Sequence, residues 1–225
     1  MRRFEWWRRG GVGVVAFWLL CGAACGRQTK FGSERNRSGR FDYYVLALSW
    51  APTFCAHEAT NRSAGECGGG HEVGFVVHGL WPESERGRSL ENCAPVRPVT
   101  PEIVQEMLPL MPDVGLIQHE WRTHGSCSGL AAEEYFAIVN RAAEKIRIPE
   151  LYQSLQRALT TSPGEVERRF AAVNHLRGVS AVRVQCRAGE VRGVLICLTK
   201  DLHPRSCSWN VRDCRAGELF MRPLH

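Results

Sequence analysis

Ten cysteines in 225 residues constrain this chain more than any other feature of its sequence. Reduced cytosolic proteins rarely carry so many, and these do not fall into the paired CxxC knuckles of a structural zinc site. An oxidising compartment and a disulfide framework are therefore expected. The N-terminus agrees with that expectation. Arg2, Arg3, Arg8 and Arg9 precede an apolar run over 10–20, and Gly22, Ala23 and Ala24 follow it, which is the order of a secretory signal peptide. The run is too short to cross a bilayer. The reading is a signal peptide over 1–24, a secreted or periplasmic location, and no integral membrane span in the mature chain. Cys25, directly after the small residues, admits a lipid anchor. Cys21 leaves with the leader and Cys25 stands at the boundary, so the folded part keeps Cys55, Cys67, Cys93, Cys127, Cys186, Cys197, Cys207 and Cys214. Counting does not pair them, because eight cysteines permit about 105 connectivities.

With 44% hydrophobic and 23% charged residues, the chain can bury a sizeable core, and disorder, collagen and coiled coil are excluded. Residues 25–40 are polar and bear glycine and serine, a flexible lead-in; the folded domain is expected over 41–225. Residues 41–50 (FDYYVLALSW) and 74–77 (GFVV) read as buried strands. From Thr100 the apolar period lengthens, predicting helices over 101–110, 117–123, 131–146, 151–159 and 165–175. Strands return over 179–187 and 191–199, with a hairpin near Gly189. The fold class is α+β: a single disulfide-stabilised domain with an antiparallel sheet packed against several helices. The formal charge of +6 permits an anionic partner without demanding one, since Arg2, Arg3, Arg8 and Arg9 against Glu5 place +3 of it in the leader.

Most of the eight histidines are isolated, but three are not. His78 directly follows the GFVV strand and opens a glycine and proline loop, where side chains are commonly presented to a cleft. His119 and His124 flank HEWRTHGSC. A zincin helix needs histidines four apart, whereas these are five apart, roughly 140° around a helix, which argues against one shared zinc. Glu120 and His124 are four apart and share a face, and His119 reaches the edge of the same site. Several imidazoles and one carboxyl, with no candidate nucleophile, suit proton shuttling at a phosphodiester whose neighbouring ribose hydroxyl supplies the nucleophile. Structural histidines beside a helix carboxylate are the competing interpretation of the spacing.

The segments Gly74 to Pro82 (GFVVHGLWP) and His119 to Cys127 (HEWRTHGSC) closely resemble the two active-site signatures of the ribonuclease T(2) family of secreted endoribonucleases. The resemblance runs from about Phe41 to Cys214, and its start looks like the bacterial periplasmic members. It implies that 41–225 is a ribonuclease domain, with His124 as general base toward the 2′-hydroxyl and His78 as general acid toward the leaving oxygen. Glu120 and His119 would hold and polarise the phosphate, and Trp81 would lie beside the base-binding pocket. The implied substrate is single-stranded RNA, cleaved with little base specificity through a 2′,3′-cyclic phosphate to 3′-phosphate products by a monomer that needs no metal or other cofactor. The implied disulfides are Cys93 with Cys127, Cys186 with Cys214, Cys197 with Cys207 and Cys55 with Cys67. One position departs from the pattern: Thr123 stands where many members carry lysine. A second reading follows from it, a catalytically weak relative acting as an extracellular RNA-binding or toxin-like protein. Trp121, in mid-helix, is expected in the core.

Overall fold

The computed structural model describes residues 37–57, 67, 73–87, 89–176 and 178–224. The predicted signal peptide, Cys25 and most of the lead-in lie outside these residues. Residues 37–40 form an exposed turn whose Gly39 N–H donates to the Cys127 carbonyl at 2.9 Å.

The elements run in the order β1 (Tyr43–Trp50), α1 (Ala51–His57), β2 (Phe75–Glu83), α2 (Pro101–Met107), α3 (Val114–Thr123), α4 (Ala132–Glu144), α5 (Glu150–Gln153), β3 (Leu159–Thr161), α6 (Pro163–Val173), β4 (Val182–Arg187), β5 (Glu190–Leu198) and β6 (Leu219–Met221). The alternation of β1 organises the packing. Tyr44, Leu46, Leu48 and Trp50 enter the main core, while Tyr43, Val45 and Ala47 lie on the opposite face of the sheet. Antiparallel β2 and β5 flank β1, and β4 pairs antiparallel with β5. Among the described residues the expected antiparallel sheet holds for every strand pairing but one, the parallel contact of β5 with β6 at Glu190 and Phe220.

On the main face, Ile103, Val104 and Met107 of α2, Ile117 and Trp121 of α3, Tyr135, Phe136 and Val139 of α4, and Val166 and Phe170 of α6 close over the strands. Each such side chain contributes about 1.5–3 kcal/mol on full burial, which is why the amphipathic helices collect on this side. The opposite face carries a smaller cluster with Leu195, Cys197 and Val211. A loop over 204–214 lies on it.

Among the described residues there are four disulfides: Cys55–Cys67, Cys93–Cys127, Cys186–Cys214 and Cys197–Cys207. The last two fasten the 204–214 loop to β4 and β5.

Two sequence expectations need correction. The predicted helix over 151–159 is only the short α5: Ser154 leaves helical geometry, the Leu155 carbonyl accepts Leu224 N–H at 2.8 Å, and 159–161 joins the sheet as β3 opposite β6. The strand predicted over 74–77 continues to Glu83, because β1 offers a pairing partner along its whole length, ending at Tyr43 opposite Glu83. His78 to Pro82 is therefore strand, not loop.

Candidate active site

A break in the β1–β2 register positions the first histidine. Ala47 pairs with Gly79 and Leu48 with Val77, leaving His78 as the extra residue of a β-bulge. A bulge shifts the alternation by one, so Val77 and Leu80 both enter the main core while Trp81 passes to the opposite face. His78 is aimed by what surrounds it. Its Nδ1 lies 3.1 Å from Ser49 Oγ, and its Nε2 lies 3.3 Å from Glu120 Oε1.

Glu120 and His124 come from α3 and its end. Asp113 caps the helix by accepting Leu116 N–H at 2.6 Å, and Gln118 clamps the neighbouring chain with two 2.9 Å bonds to Val99. His124 is the C-terminal cap, its N–H donating to the Glu120 carbonyl at 2.9 Å. Gly125 follows because a Cβ there would collide with the Trp121 ring, which is packed in the core as expected and donates to the Arg97 carbonyl at 2.9 Å. The Cys93–Cys127 bridge and an Asn92 N–H to Thr123 carbonyl bond of 2.7 Å tie this corner to the chain that leaves β2.

Glu120 is 1% exposed and projects over Gly79. A Cβ on Gly79 would overlap the carboxylate, so the glycine supplies the space that lets helix and strand meet. Trp81 donates its indole N–H to Glu120 Oε2 at 2.7 Å, stacks on His124 with centroids 5.0 Å apart and 28° between planes, and meets His78 edge-on at 6.0 Å. Burial alone would push Glu120 up, but His78, His124 and the Trp81 indole outweigh it and hold the carboxyl below its usual value. Burial holds His124 below the usual imidazole value, against opposing pulls from Glu120, Glu91 and the Leu90 carbonyl. A carboxyl that favours its anion thus stands beside an imidazole that favours its neutral form, and His78 faces the same carboxyl from the strand.

The structure brings His78, Trp81, Glu120 and His124 into one cluster. His119 is exposed at its margin, near enough for its charge to lower His124. Thr123 is buried and Arg122 is exposed. Among the described residues, no group of three or more His, Cys, Asp or Glu side chains is disposed to hold a metal ion. Sequence reasoning missed Ser49, whose only signal was its place one residue before the end of an aromatic strand. It also missed Glu83, a buried carboxyl that burial pushes up to about 7. Glu83 and Trp81 share a cavity of about 230 Å³ on the second face of the sheet.

A buried carboxylate with two imidazoles beside it, on a strand bulge and a helix end, is a set of groups able to give and take protons. Comparison with known proteins gives that class a family. Residues 41–207 match the Ribonuclease T2 family model. A ribonuclease of Aeromonas hydrophila is 33% identical over 174 residues, 74% of this chain and 76% of that protein; a probable ribonuclease of Haemophilus influenzae is 33% identical over 127 residues, 51% of this chain and 47% of that protein. Among solved structures, an RNase-related protein from Calystegia sepium superposes with a TM-score of 0.64 at 22% identity, over 82% of this chain and 98% of that one, and so shares the fold. The chain belongs to the Ribonuclease T2 family.

Proposed function

We propose that the protein is a secreted or periplasmic endoribonuclease that cleaves single-stranded RNA by transphosphorylation. His124, neutral because it is buried, takes the ribose 2′-hydroxyl proton. The freed oxygen attacks the adjacent phosphorus, and His78 protonates the departing 5′-oxygen, giving a 2′,3′-cyclic phosphate and a new 5′-hydroxyl end. In the slower second step water attacks the cyclic ester and the two imidazoles exchange roles, leaving a 3′-phosphate. Glu120 keeps the imidazoles facing each other across the phosphate, and His119 meets the phosphate from the solvent side. A base stacks at Trp81, which asks only for a π-face and so carries little sequence preference.

The observation that supports this most is the convergence of His78 and Trp81, from the bulged strand, on the buried Glu120 carboxylate beside His124. No metal enters these steps. The homologous bacterial ribonucleases and the four disulfides support export. The test is to incubate the purified protein with single-stranded RNA in EDTA and compare it with His124→Phe. Cleavage to cyclic-phosphate ends that vanishes in the variant is expected. RNA binding without cleavage would instead favour the weak-relative reading suggested by Thr123, and cleavage lost in EDTA and restored by zinc would overturn the proton-transfer scheme.

A further inference from the structure

We propose that the groove between the 204–214 loop and β4 is a second RNA-binding platform, in which Trp209 stacks a base of the strand flanking the cleaved linkage and Arg212 and Arg215 hold its phosphates. Trp209 is 77% exposed, by far the largest apolar side chain given to solvent among the described residues. It lines a groove of about 600 Å³ together with Arg183, Arg212 and Arg215. Exposed tryptophan interleaved with arginine is the surface that single-stranded nucleic acid uses, bases on the ring and backbone on the guanidinium groups.

The loop that presents Trp209 is tied down along its length. The Cys197–Cys207 and Cys186–Cys214 bridges close it at both ends. Within it, Ser208 bonds Glu85, Asn210 bonds Tyr43 and the Ser84 carbonyl at 3.3 and 3.1 Å, and the Cys214 N–H reaches the Val184 carbonyl at 2.9 Å. A platform fixed in this way loses little freedom when a strand binds.

The groove adjoins the cavity beside Trp81. Val211 and Arg212 line both this groove and the smaller cavity whose wall is Trp81, the ring that stacks on His124. A strand anchored at Trp81 would pass Arg212, at the boundary of the two hollows, on its way to Trp209. The acidic groups here do not cancel the arginines. Asp213 Oδ1 accepts the N–H groups of Val184 and Cys214 at 3.0 and 2.8 Å. Glu167 beside it, facing Asp213, Arg183 and Arg168, is pushed up to about 7 by burial and by Asp213, so it favours its uncharged form more than an ordinary carboxyl does, and three arginines outnumber Asp213 on the groove lining. No ion pair joins Arg212 or Arg215 to a carboxylate among the described residues.

The direction of the strand rests on the ribonuclease reading of the His78, Glu120 and His124 site, and the test separates the two. A labelled single-stranded oligonucleotide of about twelve nucleotides, 2′-O-methylated so that it cannot be cleaved, is titrated by fluorescence anisotropy at several salt concentrations. Cleavage of an unmodified dinucleotide is measured alongside. Trp209→Ala is expected to weaken oligonucleotide binding roughly tenfold. Arg215→Ala is expected to lower the slope of log K against log salt by about 0.7. Both should cleave the dinucleotide at the wild-type rate. Wild-type affinity and slope in both variants overturn the platform and leave Trp209 to a protein partner. A dinucleotide rate that falls in step with the affinity also overturns it. A protein that cleaves nothing but binds the oligonucleotide through Trp209 keeps the platform and removes the ribonuclease reading.

Discussion

Trp81 and Glu120 form the hydrogen bond that joins strand to helix in the site, indole N–H to carboxylate at 2.7 Å, while the same indole lies against His124. One side chain thereby touches both the carboxylate and an imidazole of the proposed proton-transfer site. Trp81→Phe keeps a ring to stack and removes the donor. A carboxylate that is 1% exposed then loses a partner, at a cost of about 1–3 kcal/mol in stability. Turnover should fall roughly tenfold or more with KM for a dinucleotide little changed, since the donor orients Glu120 and does not touch substrate. Urea unfolding and steady-state kinetics check this together, and a Phe variant that matches wild type in both would show that the bond is idle.

Ser49 is the other aiming contact, 3.1 Å from His78 Nδ1. A histidine on a bulge has lost its ladder neighbour and depends on side chains for its ring orientation. Ser49→Ala is expected to reduce kcat about tenfold while the protein stays folded, and Ser49→Thr, which keeps the hydroxyl, should restore much of it. An Ala variant as fast as wild type, or a Thr variant as slow as Ala, would remove Ser49 from the mechanism.

How much of this was legible in the sequence depends on the range of the interaction involved. Helices α2, α3, α4 and α6 repeat their apolar residues within their own length, and Ser162 with Glu165 marks the start of α6, the Glu165 N–H donating to the Ser162 hydroxyl at 3.3 Å. Glu120 and His124 could be placed on one face by counting. The bulge could not, because His78 is surplus only relative to the register of β1, 30 residues away in the sequence. Ser49 and Gly79 were silent for the same reason: one matters through an imidazole on the next strand, the other through a carboxylate arriving from a helix. The three-residue strands β3 and β6 carry too few residues to show a period and exist through each other. Trp209 could be seen in the sequence, but its exposure could not.

The pH profile should report the site's coupling. His124 lies below the ordinary imidazole value because burial outweighs the raising effect of Glu120. Its deprotonation switches the base on, so the acidic limb of kcat/KM should fall below pH ~6.5. Glu120→Gln removes a charge that favours the imidazolium, which lowers His124 further and moves that limb to more acidic pH as maximal activity drops. A limb that stays fixed or moves upward in the Gln variant would mean that Glu120 and His124 do not titrate as neighbours.

Glu83 gives the stability prediction its sign. Burial first, and then the charge of Glu91, raise its carboxyl from 4.5 to about 7, against opposing bonds from Ser89 and the Ser84 backbone. An acid raised on folding holds its proton more tightly in the folded state. The stability linked to it is complete below the unfolded value of 4.5 and is lost as pH rises through about 7. Glu167 acts in the same direction. Glu83→Gln, which never ionises, should therefore gain about 1–3 kcal/mol over wild type at pH ~8 relative to the difference at pH ~5. Urea unfolding of both proteins at the two pH values measures that gain directly. Since Glu83 shares the cavity with Trp81, a pH-independent difference between the two proteins would mean that its carboxyl is already solvated there, and that the cavity beside Trp81 is wet.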